Sequence, residues 1–153
     1  MTNQEITKEI KSILYQMTKT ILHMISQELK ENRSDIDDNL KSLEKNLTEL
    51  DKYYAFQSDG TTIIKNYDTS RMHEREELEY QEMITSYEMY NDLFIKANKL
   101  DQEKNSKSIT KENFFLKYKN TKKRRELEKE KRRFEKKLEQ LRKDILSIQR
   151  NNS

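Results

Sequence analysis

The chain has no cysteine, no proline, no tryptophan and no valine, and a single glycine in 153 residues. Without cysteine there is no disulfide framework, no thiolate nucleophile and no Cys-ligated zinc or iron site. One glycine cannot build a GxGxxG or Walker loop, so phosphate cradling by a glycine-rich turn is excluded. Apolar residues make up only 32% of the chain, against nearly half in ordinary globular domains, which argues against a compact sheet-containing enzyme. No apolar run is long enough to span a bilayer. The most apolar stretch, residues 10–25, is interrupted by Lys11, Gln16, Lys19 and His23, so no transmembrane segment is expected. The first ten residues carry Glu5 and Glu9 instead of a basic n-region, residue 2 is Thr, and there is no CaaX cysteine. Neither a secretory signal nor a lipid anchor is therefore expected, and the expected location is intracellular, cytoplasmic with the nucleus as the alternative.

What is present is charge in near balance, 31 Lys or Arg against 28 Asp or Glu, with 33 Leu, Ile and Phe spread among them. Balanced charge with sparse, periodic apolar residues predicts an all-α fold of elongated coiled-coil helices. Thr2 followed by Glu5 fits a capping box. Ile6, Ile10, Ile13, Met17, Ile21 and Met24 then recur every three or four residues, widened by Leu14, Leu22 and Ile25. A stripe that wide needs more than one partner helix. Ile36, Leu40, Leu43, Leu47, Leu50 and Tyr54 follow at 4-3 spacing, an a/d seam of the kind that supercoils with another helix. Between the two patterns, residues 30–35 read either as a polar stretch of one helix or as a bend after which Ser34 caps a second helix. The lack of Gly or Pro before position 60 favours continuity, hence one helix over residues 1–56. The segment from Ile6 to Tyr54 would then be a rod of about 70 Å at ~1.5 Å per residue.

Asp59-Gly60 is the one strong breaker, and residues 57–69 read as a turn and loop about which the chain reverses as a helical hairpin. Ile63 and Ile64 beside Thr61 and Thr62 suggest a short extended segment, too little for a sheet. A second coiled-coil helix is expected over 70–101, with Tyr80, Met83, Tyr87, Tyr90, Phe94 and Ala97 on its seam. Residues 102–110 read as a linker, and 111–150 as a long basic C-terminal coiled-coil helix. That helix opens on an aromatic cluster of Phe114, Phe115, Leu116 and Tyr118. It continues through Leu127, Phe134, Leu138, Leu141, Ile145 and Ile148, with Lys131 at a core position.

Candidate catalytic groups fail on inspection. His23 and His73 are 50 residues apart and neither has a partner at i, i+4 in the pattern of a helix metal site. Asp35, Asp37 and Asp38 lack the Gly and the closing Glu of a calcium loop, and they read as negative charge at a helix start. No catalytic residue, metal ligand or cofactor is expected, and the chain reads as non-enzymatic. The tyrosines read as core or interface side chains with wet hydroxyls, an aromatic platform for bases being the sharper alternative.

Charge is distributed unevenly. Residues 117–143 hold 14 Lys or Arg against 5 Glu, a net of +9, whereas residues 1–116 hold 16 against 22, a net of −6. Lys122, Lys123, Arg124 and Arg125 form one basic block and Lys131, Arg132 and Arg133 a second, together resembling a nuclear-localisation pattern. Three uses compete for this segment: a solvated face with pairs such as Glu128–Arg132 and Glu139–Lys143, docking onto an acidic partner, and contact with nucleic acid or an anionic membrane. A peripheral membrane role for residues 10–25 is weaker, because that helix carries few basic residues on its polar face.

The leading expectation is a scaffold or adaptor subunit of a multiprotein assembly, homo- or hetero-oligomeric. Its partner interface would comprise Ile36, Leu40, Leu43, Leu47, Leu50, Tyr54, Tyr80, Met83, Tyr87, Tyr90, Phe94, Leu138, Leu141 and Ile145. The two basic blocks would add charge-selective docking. In general outline the chain resembles the small helical subunits of kinetochore, vesicle-tethering, lysosome-related-organelle and mRNA-export complexes, and no motif selects among them. The alternative is a nucleic-acid-binding protein that uses the basic helix beside a dimerising coil.

Overall fold

In the computed structural model, backbone is described for residues 1–30, 32, 34–106 and 121–151, and side chains for 1–30, 32, 34–95 and 124–150. Among these residues the chain is mostly helical, with four helices and one small antiparallel sheet: α1 Asn3–Leu29, α2 Ile36–Asp51, β1 Tyr54–Phe56, β2 Thr62–Ile64, α3 Glu74–Ser106 and α4 Thr121–Asn151. The all-α expectation holds at that level.

Helix α1 starts where the capping pattern places it, with the Thr2 hydroxyl accepting from the Glu5 N–H at 3.2 Å. Its apolar stripe is buried from end to end: Ile6, Ile10, Ile13, Leu14, Met17, Ile21, Ile25 and Leu29 all lie in the core. The helix contacts α2, α3 and, most extensively, α4. Three partners cover the stripe, as its width requires.

The expected continuous helix over 1–56 does not form, and neither does its rod. Helix α1 ends at Leu29 and α2 begins at Ile36, packed back against α1. Polar side chains make the break without Gly or Pro. The Asn32 N–H donates to the Gln27 carbonyl at 2.8 Å, the 6→1 bond of a Schellman-type C-cap. The Asn32 carboxamide oxygen accepts from the Ser34 N–H and hydroxyl. Buried Gln27 then clasps α2, donating to Asp35 at 3.1 Å and accepting from Asn39 at 2.9 Å. Asp35, not Ser34, occupies the N-cap position, with Asp37 and Asp38 in the first turn.

Residues 54–64 form the second departure. Tyr54, Ala55 and Phe56 pair with Ile64, Ile63 and Thr62 in an antiparallel ladder where the end of a helix and a lone extended segment were expected. Aromatic and β-branched side chains suit a pleated surface. Gly60, at φ +88°, closes the loop, and its N–H donates to the Gln57 carbonyl at 2.9 Å. The chain does reverse about Gly60, and its turn joins two strands. The hairpin is seated by tyrosines: Tyr54 donates to the Met83 carbonyl at 2.8 Å, Tyr80 accepts from the Ile64 N–H at 3.1 Å, and Tyr54 stacks on Tyr87 at 4.1 Å. The Tyr87 hydroxyl bonds Asp51, and burial followed by that bond pushes its pKa up.

Helix α3 begins at Glu74, inside the expected 70–101, and continues through residues expected as linker to Ser106. Residues 107–120, which include the aromatic cluster Phe114, Phe115, Leu116 and Tyr118, lie outside the described residues. Helix α4 starts at Thr121, and its buried Phe134 and Leu141 face the α1 core.

Tyr90 is fully buried, with its hydroxyl bonded to that of Thr18, itself buried and donating to the Leu14 carbonyl at 2.8 Å. Burial pushes the Tyr90 phenol up to about 12 from 10.0, opposed by the Thr18 bond and aided by Glu82. Above pH 10 an unfolded chain releases this proton while the folded chain keeps it, so stability present below pH 10 is lost as pH rises toward 12. One such group contributes a slope of about 1.4 kcal/mol per pH unit. Urea unfolding at several pH values between these limits is expected to show falling stability, less steep in Tyr90→Phe; equal slopes would contradict this assignment.

Candidate docking surface

Helix α4 has two faces of different character. Its inner face carries Phe134 and Leu141, buried, with Leu127, Leu138, Ile145 and Ile148 half-buried. Polar contacts lock this face in place. Arg124 donates to the Leu29 carbonyl at the end of α1 at 2.8 Å, and Arg142 donates to the Tyr15 hydroxyl at 3.2 Å. Lys137 sits 4.9 Å from the Tyr90 ring centroid, and burial lowers its pKa.

The outer face is basic. Arg125, Lys129, Arg132, Lys136, Lys143 and Arg150 are all exposed and recur at helical spacing, with Gln140 and Ser147 filling the gaps. They form one stripe about 37 Å long at ~1.5 Å per residue. Among the described residues, none of Arg125, Lys129, Arg132, Lys136 and Lys143 pairs with a carboxylate. Ion pairs within α4 include Glu130–Arg133 at 3.4 Å and Glu139–Arg142 at 4.0 Å. The expected pairs Glu128–Arg132 and Glu139–Lys143 do not form. Glu128, Glu135 and Glu139 instead run along one border of the stripe.

The residues expected to meet partner helices are placed differently. Leu40, Leu43, Leu47, Leu50, Tyr54, Tyr80, Met83, Tyr87, Tyr90 and Leu141 are buried within this single chain; Ile36, Phe94, Leu138 and Ile145 are half-buried. Their seams face the chain's own helices, with α2 and α3 in contact with each other and all three of α2, α3 and α4 in contact with α1. Of the basic blocks, Arg125, Arg132 and Arg133 are exposed, Lys131 is half-buried, and Arg124 is engaged with α1. The side chains of Lys122 and Lys123 lie outside the described residues. The two blocks lie on this helix but do not mark its outer face, because four consecutive residues wrap round a helix. Lys129, Lys136 and Lys143 lie within the basic segment 117–143 but outside the two blocks, and they align with Arg125, Arg132 and Arg150 only when charges are projected at 3.6 residues per turn.

An open polar cleft of about 490 Å³ lies where the start of α1, Tyr67, the start of α3 and the end of α4 meet. Its buried ammonium, Lys11, is held by Asp144 at 3.0 Å and Glu79 at 3.5 Å, which ties α1 to α3 and α4. His23 and His73 are exposed. Among the described residues no group of three His, Cys, Asp or Glu is placed to hold a metal ion, and no helix is long and apolar enough to cross a membrane.

The chain matches no protein-family model, no curated protein and no solved structure.

The Lys11 triad makes an unequal prediction. Lys11→Met removes the buried charge together with its ion pairs, and leaves two carboxylates that water still reaches. Glu79→Gln with Asp144→Asn strands a buried ammonium, at a cost of about 3–5 kcal/mol. Urea unfolding is expected to find the double variant less stable than Lys11→Met; the reverse order would show that the triad is not a structural tie.

Proposed function

We propose that this chain is a non-enzymatic helical subunit that acts by docking, and that the outer basic face of α4 binds an acidic helical surface in a multiprotein assembly. The observation that carries this reading is the row of exposed Arg125, Lys129, Arg132, Lys136 and Lys143, with no carboxylate partner among the described residues, on a helix whose other face is fixed to the core. Arg and Lys are costly to concentrate on one line unless something of opposite sign offsets their mutual repulsion. The 3- and 4-residue spacing matches the rise of a second helix.

Contact with nucleic acid is the competing use of such a stripe. The border of Glu128, Glu135 and Glu139 weighs against it, because those carboxylates would lie beside the phosphates. A protein helix can meet the same border with its own basic residues. The apolar seams contribute by building the rigid platform on which the charged face stands.

The test is purification of the tagged chain from its own cells, with nuclease treatment and at two salt concentrations, alongside the variant Arg132→Glu/Lys136→Glu. The expected result is a stoichiometric set of acidic helical proteins that survives nuclease and is depleted roughly tenfold or more by the charge reversal, while the helical circular dichroism and melting of the variant stay unchanged. Partners that disappear with nuclease treatment would overturn the reading in favour of nucleic acid.

A further inference from the structure

The proposed docking face of α4 has a counterpart on the same molecule. The outward line of α3 carries Glu74, Glu77, Glu88 and Asp92, all exposed, with Gln81 and Thr85 between them. Two large apolar side chains stand on this helix in solvent, Leu78 at 66% and Ile95 at 56% exposure. Over residues 74–95 there are seven carboxylates and one basic residue, Arg75. The acidic line from Glu74 to Asp92 and the basic line from Arg125 to Lys143 each cover 18 residue steps, about 27 Å at ~1.5 Å per residue. Length, spacing and sign all match.

The two faces cannot meet within one chain. Each helix turns its opposite face inward, α3 through Tyr80, Met83, Tyr87 and Tyr90 and α4 through Phe134 and Leu141, so both charged lines point away from the core. Resting on the docking role assigned to α4, we infer that the acidic surface it fits is the outer face of α3 on a second copy of this chain. In a two-fold dimer each copy offers both faces, so the α3–α4 pairing forms twice. Leu78 and Ile95 add apolar contact along the acidic line. Exposed charges hold the interface, so it weakens as salt screens them.

Sedimentation equilibrium of the full chain over a range of concentrations, at low and high salt, tests this directly. Two variants accompany it: Glu74→Lys/Glu77→Lys/Glu88→Lys turns the acidic line basic, and Lys129→Glu/Arg132→Glu/Lys136→Glu turns the basic line acidic. The wild type is expected to dimerise at low salt and dissociate at high salt, and each variant alone is expected to remain monomeric. Mixed in equal amounts the two variants regain the dimer, because the two reversed faces then meet each other and the two unreversed faces meet each other. That rescue also shows that both variants are folded. A wild type that stays monomeric at low salt, a dimer that neither reversal weakens, or a mixture that fails to recover it would each overturn the inference. A monomer that still captures acidic helical proteins, lost on reversing α4 but not α3, leaves the docking reading standing while this inference fails. Binding of duplex DNA at low salt in place of self-association overturns both.

Discussion

The fold depends on the width of the apolar face of α1. A two-stranded coil buries a narrow a/d seam, whereas Ile6, Ile10, Ile13, Leu14, Met17, Ile21 and Ile25 cover more of the helix than one partner can shield. Helices α2, α3 and α4 all pack against it. In doing so they bury their own seams, and Leu43, Leu47 and Leu50 of α2 share one core with Tyr80, Met83 and Tyr90 of α3. Once α1 is covered, the large apolar side chains left in solvent among the described residues stand apart, including Phe56 on the hairpin, Leu78 and Ile95 on α3 and Leu146 on α4.

Polar groups set the arrangement of the elements around that core. Thr18 of α1 is bonded to Tyr90 of α3, Lys11 of α1 to Glu79 of α3 and Asp144 of α4, and Gln27 of α1 to Asp35 and Asn39 across the turn into α2. Each is buried, and each finds its partner on a different element. A slipped packing would leave one of these atoms without a hydrogen bond away from water, at a cost of roughly 1–3 kcal/mol each. Apolar contact supplies the cohesion, and these bonds select the register.

Much of this was legible in the sequence. The 4-3 spacing marked the helical stretches and most of their buried residues, though it ran α1 and α2 together as one helix, and Thr2 marked the first N-terminus. Two things were not legible. The break at residues 30–35 is made by Asn32, Gln27 and Asp35 through side-chain bonds whose partners are known only after folding, so the missing Gly and Pro were misleading. The hairpin went unseen because Tyr54 continued a helical period while also being a good strand residue, and its tertiary contacts with Met83 and Tyr87 decided the matter. The same blindness affected the candidate site. A 4-3 seam announces that it will be buried against a helix without saying whose. Here the seams turned inward, and the proposed docking surface lies on charges that are scattered in the sequence and aligned only on the helix surface.

The central claim is that the seams are satisfied within one chain, so that the charged outer faces remain for partners. Native-state amide hydrogen exchange measures this most directly when followed residue by residue over a wide range of protein concentration and salt. The amides of α1 from Ile10 to Ile25 are expected to be the most strongly protected, together with those of α2 and of α3 up to Tyr90, with protection independent of concentration and salt. Protection of α1 that appears only at high concentration, or only when a partner is added, would contradict it and return the chain to an open rod completed by other subunits.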